Sequence, residues 1–129
     1  MANELILIIE DNEKNRRLAR DVLQVKGYRT IEAGDAETGL ALAATEHPDL
    51  VLMDIHLPGM NGIEALNALR ANEATRAIPV LAFTASVMPQ DRHQITSAGF
   101  DGFLSKPIDL KEFAATIASK LAGGAGEVK

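Results

Sequence analysis

Five short apolar runs punctuate the chain: Leu5 to Ile9, Tyr28 to Ala33, Leu50 to Met53, Val80 to Phe83, and Phe103 to Leu104. The first, third and fourth are continuous rather than alternating, the pattern of parallel strands covered on both faces. Between the runs, apolar residues return at helical spacing. Leu18, Val22 and Val25 follow i, i+4, i+7, with Arg16, Arg17 and Arg20 taking much of the polar side. Leu40, Ala43 and Ala44 repeat the pattern, and Ile63, Leu66 and Leu69 step by three behind Asn61-Gly62. The clearest stripe is Leu110, Phe113, Ala114, Ile117 and Leu121. Asp109 precedes it as an N-cap, and Glu112 completes a capping-box arrangement. Pro89 to Ala98 reads as a weaker helix, opened by proline and closed by Gly99.

Lys26-Gly27, His47-Pro48, Pro58-Gly59, Asn61-Gly62, Ile78-Pro79 and Lys106-Pro107 all fall between these elements, where turn chemistry belongs. Alternating strands and helices predict an α/β fold, a three-layer sandwich with a five-stranded parallel sheet and five helices. Right-handed crossovers leave few topologies, and five strands suit the flavodoxin-like order 2-1-3-4-5. A length of 129 residues suits one domain. Residues 1–122 are expected to form it, with the glycine-rich stretch 123–129 as a flexible tail. No output domain is expected after Leu121.

Composition narrows the function. Hydrophobic residues make up 47% and charged ones 24%, ordinary values for a soluble globular protein. The absence of Cys excludes disulfides, thiolate nucleophiles, zinc fingers and iron–sulfur clusters. Thirteen Lys and Arg against 18 Asp and Glu give a net charge of −5, so no footprint on nucleic acid or anionic membrane is expected. With no Trp, one Tyr and four Phe, base-stacking surface is scarce too. No apolar stretch approaches the roughly 20 residues of a spanning helix. Met1-Ala2-Asn3-Glu4 does not open like a signal peptide, so a cytoplasmic protein is expected.

In an open parallel sheet the site lies beyond the carboxyl ends of the strands. There the first strand delivers Glu10 and Asp11, the third Asp54, the fourth Thr84 and the fifth Lys106. Each has a plainer account on its own. Glu10-Asp11-Asn12 suits any helix N-terminus, Asp54 any strand-end turn, Thr84 any strand, and Lys106 a solvated loop. Together they have a chemical logic. Three carboxylates held close repel one another unless a cation joins them. Oxygen donors with open positions suit Mg²⁺. Asp54 is then an ionised nucleophile facing a site that can neutralise an incoming phosphoryl group, with Lys106 as a fixed positive charge and Thr84 as a hydroxyl donor.

Four passages carry a family resemblance: Leu7 to Asn12, Asp49 to Gly62, Pro79 to Ala85, and Ala98 to Pro107. In order and spacing they resemble the receiver domain of two-component response regulators, the CheY-like superfamily, over essentially the whole chain. Glu10-Asp11-Asn12-Glu13-Lys14-Asn15 is similar to the start of single-domain receivers and of receivers attached to hybrid kinases. The resemblance implies that Asp54 accepts a phosphoryl group from a sensor histidine kinase or a histidine phosphotransfer protein. It implies that Glu10, Asp11, Asp54 and the backbone carbonyl of His56 hold Mg²⁺, and that Thr84 and Lys106 contact the phosphoryl group. Thr84 and Phe103 take the switch positions, where many receivers carry Tyr in place of Phe103. It also implies a cis bond between Lys106 and Pro107.

With no output domain expected, the signal would pass to a protein target through the fourth helix, fifth strand and fifth helix, with Met88, His93, Ile95 and Phe103 as possible contacts. The first helix, with Lys14, Asn15, Arg16, Leu18 and Val22, would contribute to the choice of kinase. His47 and His93 are expected at the surface, and the His56 side chain to border the site. A monomer is expected. Alternatives are a degenerate receiver that only binds partners, an aspartyl-phosphate phosphatase, and a flavodoxin-like electron carrier. His56 stands where haloacid-dehalogenase enzymes place a second Asp, and Glu10-Asp11 would repel a flavin phosphate.

Overall fold

The computed structural model describes residues 4–55, 60, 62–84, 93, 97–105, 113, 115–119 and 121; for Thr84 and Ser105 the description is of the backbone. The elements run β1 (Leu5–Ile9), α1 (Glu13–Val25), β2 (Arg29–Ala33), α2 (Ala36–Glu46), β3 (Leu50–Asp54), α3 (Gly62–Ala71), β4 (Val80–Thr84) and β5 (Gly102–Ser105). Residues 93, 97–98, 113, 115–119 and 121 are also helical. The sheet is parallel throughout, in the order β2-β1-β3-β4-β5. No helix among the described residues is long and apolar enough to cross a membrane.

The continuous apolar runs are buried on both faces, as read from their pattern. Leu7, Ile9, Val51, Met53, Val80 and Ala82 pack with α2 and α3 residues Ala36, Ala43, Ala65, Leu66 and Leu69. The alternate positions Ile6, Ile8, Leu50, Leu52, Leu81, Phe83 and Leu104 pack with Ala19 and Leu23 of α1 and with Phe113 and Ile117. Period-two alternation along each strand thus divides one sheet between two helical layers.

Two expectations need correction. The buried stripe of α1 is Ala19 and Leu23, whereas Leu18 is 43% and Val25 83% exposed. The apolar set of this helix is wider than the strip the sheet can cover. The small Ala19 side chain permits the closest approach, so the helix seats there and leaves Leu18 and Val25 outside. In α2 the buried face is Ala36, Gly39 and Ala43, with Leu40 only partly buried. A Cβ at Gly39 would collide with the Ile9 side chain, so glycine lets α2 lie directly on β1.

Helix ends follow local chemistry. Asn12 caps α1 by accepting from the Asn15 N–H at 3.0 Å. Asp35 caps α2 by accepting from the Thr38 N–H at 2.7 Å, which holds its carboxyl below the ordinary carboxylate value. Gly99, at φ 108°, follows helical residues 97 and 98 as the sequence predicts. The cap positions Asp109 and Glu112, the stripe residues Leu110 and Ala114, and the Lys106–Pro107 bond lie outside the described residues.

Candidate functional site: an acidic cluster at the carboxyl edge of the sheet

β1 and β3 are adjacent at the centre of the sheet, and Ile9 pairs with Met53. One residue further along each strand come Glu10 and Asp54, so parallel register alone brings these two acids side by side. Asp54 is the last residue of β3 and pairs with Phe83. Asp11 follows in the turn into α1 and is exposed, whereas Glu10 is wholly buried and Asp54 is 3% exposed.

Carboxylate oxygens from Glu10, Asp11 and Asp54 lie within 4.8 Å of one another, and this is the acidic group of metal-holding geometry among the described residues. Two buried acids and an exposed third, all carrying hard oxygen donors, fit a small divalent cation. Six ligands at about 2.0–2.1 Å set neighbouring oxygens about 3 Å apart and opposite ones about 4 Å apart, a span side-chain adjustment can reach. The donors are poor ligands for softer metals, which prefer sulfur or imidazole.

The backbone around the cluster is tied down. The Glu10 N–H donates to the Ala33 carbonyl at 3.0 Å, extending the β1–β2 ladder. Glu10 Oε2 accepts from the Asn12 N–H at 3.0 Å, so the acid is oriented by the turn it precedes. Arg16 Nη1 donates to the Glu10 carbonyl at 2.8 Å, and its Nε faces Glu32 Oε1 of β2 at 3.3 Å. On the other side, the Gly62 N–H donates to the Ile55 carbonyl at 2.9 Å. A Cβ at Gly62 would stand 2.7 Å from the Asp54 carbonyl oxygen and 2.8 Å from Ile55 Cα. Glycine at the start of α3 therefore lets that helix rest on the backbone that carries Asp54.

Of the remaining sequence-expected residues, Thr84 ends β4 and its backbone pairs with Ser105, the last residue of β5. These positions occupy the same edge of the sheet as Asp54. The Thr84 side chain, His56 and Lys106 lie outside what is described. Phe103 pairs with Ala82 and is partly buried against the α2–α3 side of the core. His47, at φ 49°, is the exposed C-cap of α2, and His93 is exposed. Met88 and Ile95 lie outside the described residues. Arg16 departs from expectation. Read as part of an outward polar face, it folds back onto Glu10 and Glu32 with its side chain 22% exposed. Nothing in the helical spacing marks it, because its acceptors come from β1 and β2.

Residues 6–118 match the response regulator receiver domain family. The chain is 43% identical over 116 residues to the polar-differentiation response regulator DivK of Brucella ovis, covering 90% of this chain and 94% of that protein. It superimposes with a TM-score of 0.84 on the receiver domain of sensor histidine kinase PA1611 from Pseudomonas aeruginosa PAO1, at 32% identity, covering 95% and 99% of the two chains. That receiver was solved with a magnesium ion coordinated in its active-site cleft. A CheY-like response regulator receiver domain protein from Methanospirillum hungatei JF-1 superimposes with a TM-score of 0.87 at 26% identity, covering 98% and 99%.

Proposed function

The chain belongs to the response regulator receiver domain family of two-component signalling, and from that premise we propose that it is a phosphorylation-driven switch whose phosphoacceptor is Asp54. It is a regulatory domain rather than a metabolic enzyme. The observation that carries the reading is the convergence of Glu10, Asp11 and Asp54 oxygens within 4.8 Å at the carboxyl edge of the sheet.

Glu10, Asp11 and Asp54, joined by the His56 backbone carbonyl, would hold Mg²⁺. When bound, the ion neutralises the carboxylates and the oxygens of the transferring phosphoryl group. The Asp54 carboxylate attacks the phosphorus of a phosphohistidine on a sensor kinase or phosphotransfer protein. The P–N bond breaks, the donor imidazole leaves, and an acyl phosphate remains on Asp54. Lys106 supplies a fixed charge to the phosphoryl oxygens and the Thr84 hydroxyl donates to one of them. The Thr84 contact shifts a pre-existing equilibrium of the β4 edge. Phe103, on β5 opposite Ala82 of β4, reports the change to the surface formed by the fourth helix, β5 and the fifth helix, where a downstream protein binds. The donor docks on the N-terminal half of α1, whose Leu18 stands exposed. The receiver domain spans residues 1–122 and works in the cytoplasm as a monomer, with no nucleic acid or membrane partner.

The test is intact mass after incubation with Mg²⁺ and acetyl phosphate. A single phosphoryl adduct is expected on the unaltered protein, absent with EDTA and absent in Asp54→Asn. A folded protein that takes no adduct would make this a receiver that signals by binding alone.

A further inference from the structure

We propose that Arg16 is a positioning residue for the metal site, a strut from α1 that fixes the Glu10–Asp11 peptide rather than a member of the partner-facing surface. The inference rests on the reading of Glu10, Asp11 and Asp54 as a Mg²⁺ site. Asp11 needs such help, being exposed and in a turn, with no ladder of its own. Its position depends on the peptide before it. The N–H of Glu10 is held by Ala33 at 3.0 Å and its carbonyl by Arg16 Nη1 at 2.8 Å, so the backbone entering Asp11 is pinned from two sides.

The strut is itself braced. Arg16 Nε faces Glu32 Oε1 at 3.3 Å, while the other oxygen of Glu32 faces Arg20 Nη1 at 3.5 Å. Glu32 stands on β2 opposite Ile8, two positions before Glu10 along the neighbouring strand. The planar fork of arginine can reach a β1 carbonyl and a β2 carboxylate together, which a lysine ammonium cannot match in geometry. Groups that orient ligands without touching the metal commonly change its affinity by about 10–100-fold.

Charge and geometry predict opposite signs here, which makes the role measurable. Arg16 is a cation near an acidic cluster, so deleting it for charge alone would tighten binding of a second cation. Deleting it as a strut loosens Asp11 and weakens binding.

Calorimetric titration with Mg²⁺, well below the unfolding temperature, should show Arg16→Ala binding about tenfold more weakly than the unaltered protein. Arg16→Lys keeps the charge but not the fork and should fall between them; it also carries the test if the alanine variant does not fold. Arg17→Ala removes a neighbouring charge that pairs with Glu13 rather than Glu10, and should bind as well as or slightly better than the unaltered protein. Equal or tighter Mg²⁺ binding by Arg16→Ala, or by Arg16→Lys where alanine does not fold, would overturn the strut. If the unaltered protein binds Mg²⁺ and Asp54→Asn binds it poorly while Arg16→Ala is unaffected, only this inference fails. If the unaltered protein gives no Mg²⁺ binding, the metal site and the strut fall together.

Discussion

The two edges of the sheet use the same residue type for opposite ends. At the amino edge, Asp49 precedes β3 and Asp101 precedes β5, and each forms the same pair of bonds with the first residue of a neighbouring strand. The Asp49 N–H donates to the Leu5 carbonyl at 2.7 Å while Asp49 Oδ2 accepts from the Leu5 N–H at 2.8 Å. Asp101 does the same with Val80, both bonds at 2.8 Å, and its Oδ2 also faces Arg70 Nη2 at 3.0 Å. There a carboxylate replaces the carbonyl that a longer strand would have supplied. At the carboxyl edge, three acids instead face one another. Repulsion among close carboxylates costs stability, a cost that the cation of the proposed site would offset. Acids at strand starts hold the fold, and acids at strand ends form the proposed metal site.

That contrast can be broken in four places. The largest stability effect is expected from Gly62→Ala, because its Cβ meets backbone rather than a movable side chain. A loss of about 2 kcal/mol or more in urea unfolding is expected, together with weaker Mg²⁺ binding as Asp54 is displaced. Asp101→Ala comes next. It removes the acceptor of the Val80 N–H and the partner of Arg70, and should cost about 1–2 kcal/mol while leaving Mg²⁺ affinity unchanged. Asp11→Asn should behave in the opposite sense. Without Mg²⁺ it relieves repulsion and leaves stability equal or higher by a few tenths of a kcal/mol, the scale of exposed charge pairs. With millimolar Mg²⁺ the order reverses, because the unaltered protein gains binding energy that the variant lacks. A variant destabilised in EDTA would show that Asp11 serves the fold.

The smallest effect concerns pH. The Asp35 carboxyl is held below its ordinary value by the Thr38 N–H, so its folded-state pKa lies under the unfolded one. Its contribution is therefore full above the unfolded pKa of about 3.9 and is lost as pH falls through the lower folded value. Asp35→Ala should melt a few degrees lower than the unaltered protein at neutral pH. The gap should narrow as pH falls below the unfolded value and through the lower folded-state one. A gap that persists there would assign the loss to helix propensity rather than to the charged cap.

Much of this was legible beforehand. The runs Leu5 to Ile9 and Leu50 to Met53 were continuous because both of their faces are covered, and periodicity reports burial directly. The clustering of Glu10, Asp11 and Asp54 was legible because parallel strands deliver their ends to one edge. Arg16 was not, since Glu10 and Glu32 reach it from β1 and β2. Asp49 and Asp101 lay within passages that pointed to the family, yet their bonds depend on which strand start stands beside them. Leu18 and Val25 misled because spacing marks an apolar stripe without saying how much of it the sheet covers.

The sequence by itself therefore determined the order of elements, the strand count, the family and the identity of the acids at the carboxyl edge. These follow from local periodicity and from parallel topology, which few residues can alter. Tertiary structure alone decided which side of α1 is buried, why position 62 must be glycine, and which charged side chain folds onto the Glu10 backbone. Those are matters of a few tenths of an ångström between residues far apart in the chain, such as Arg16 against Glu32 or Gly62 against Asp54. Close packing of distant segments sets them, and no period along a single segment records it.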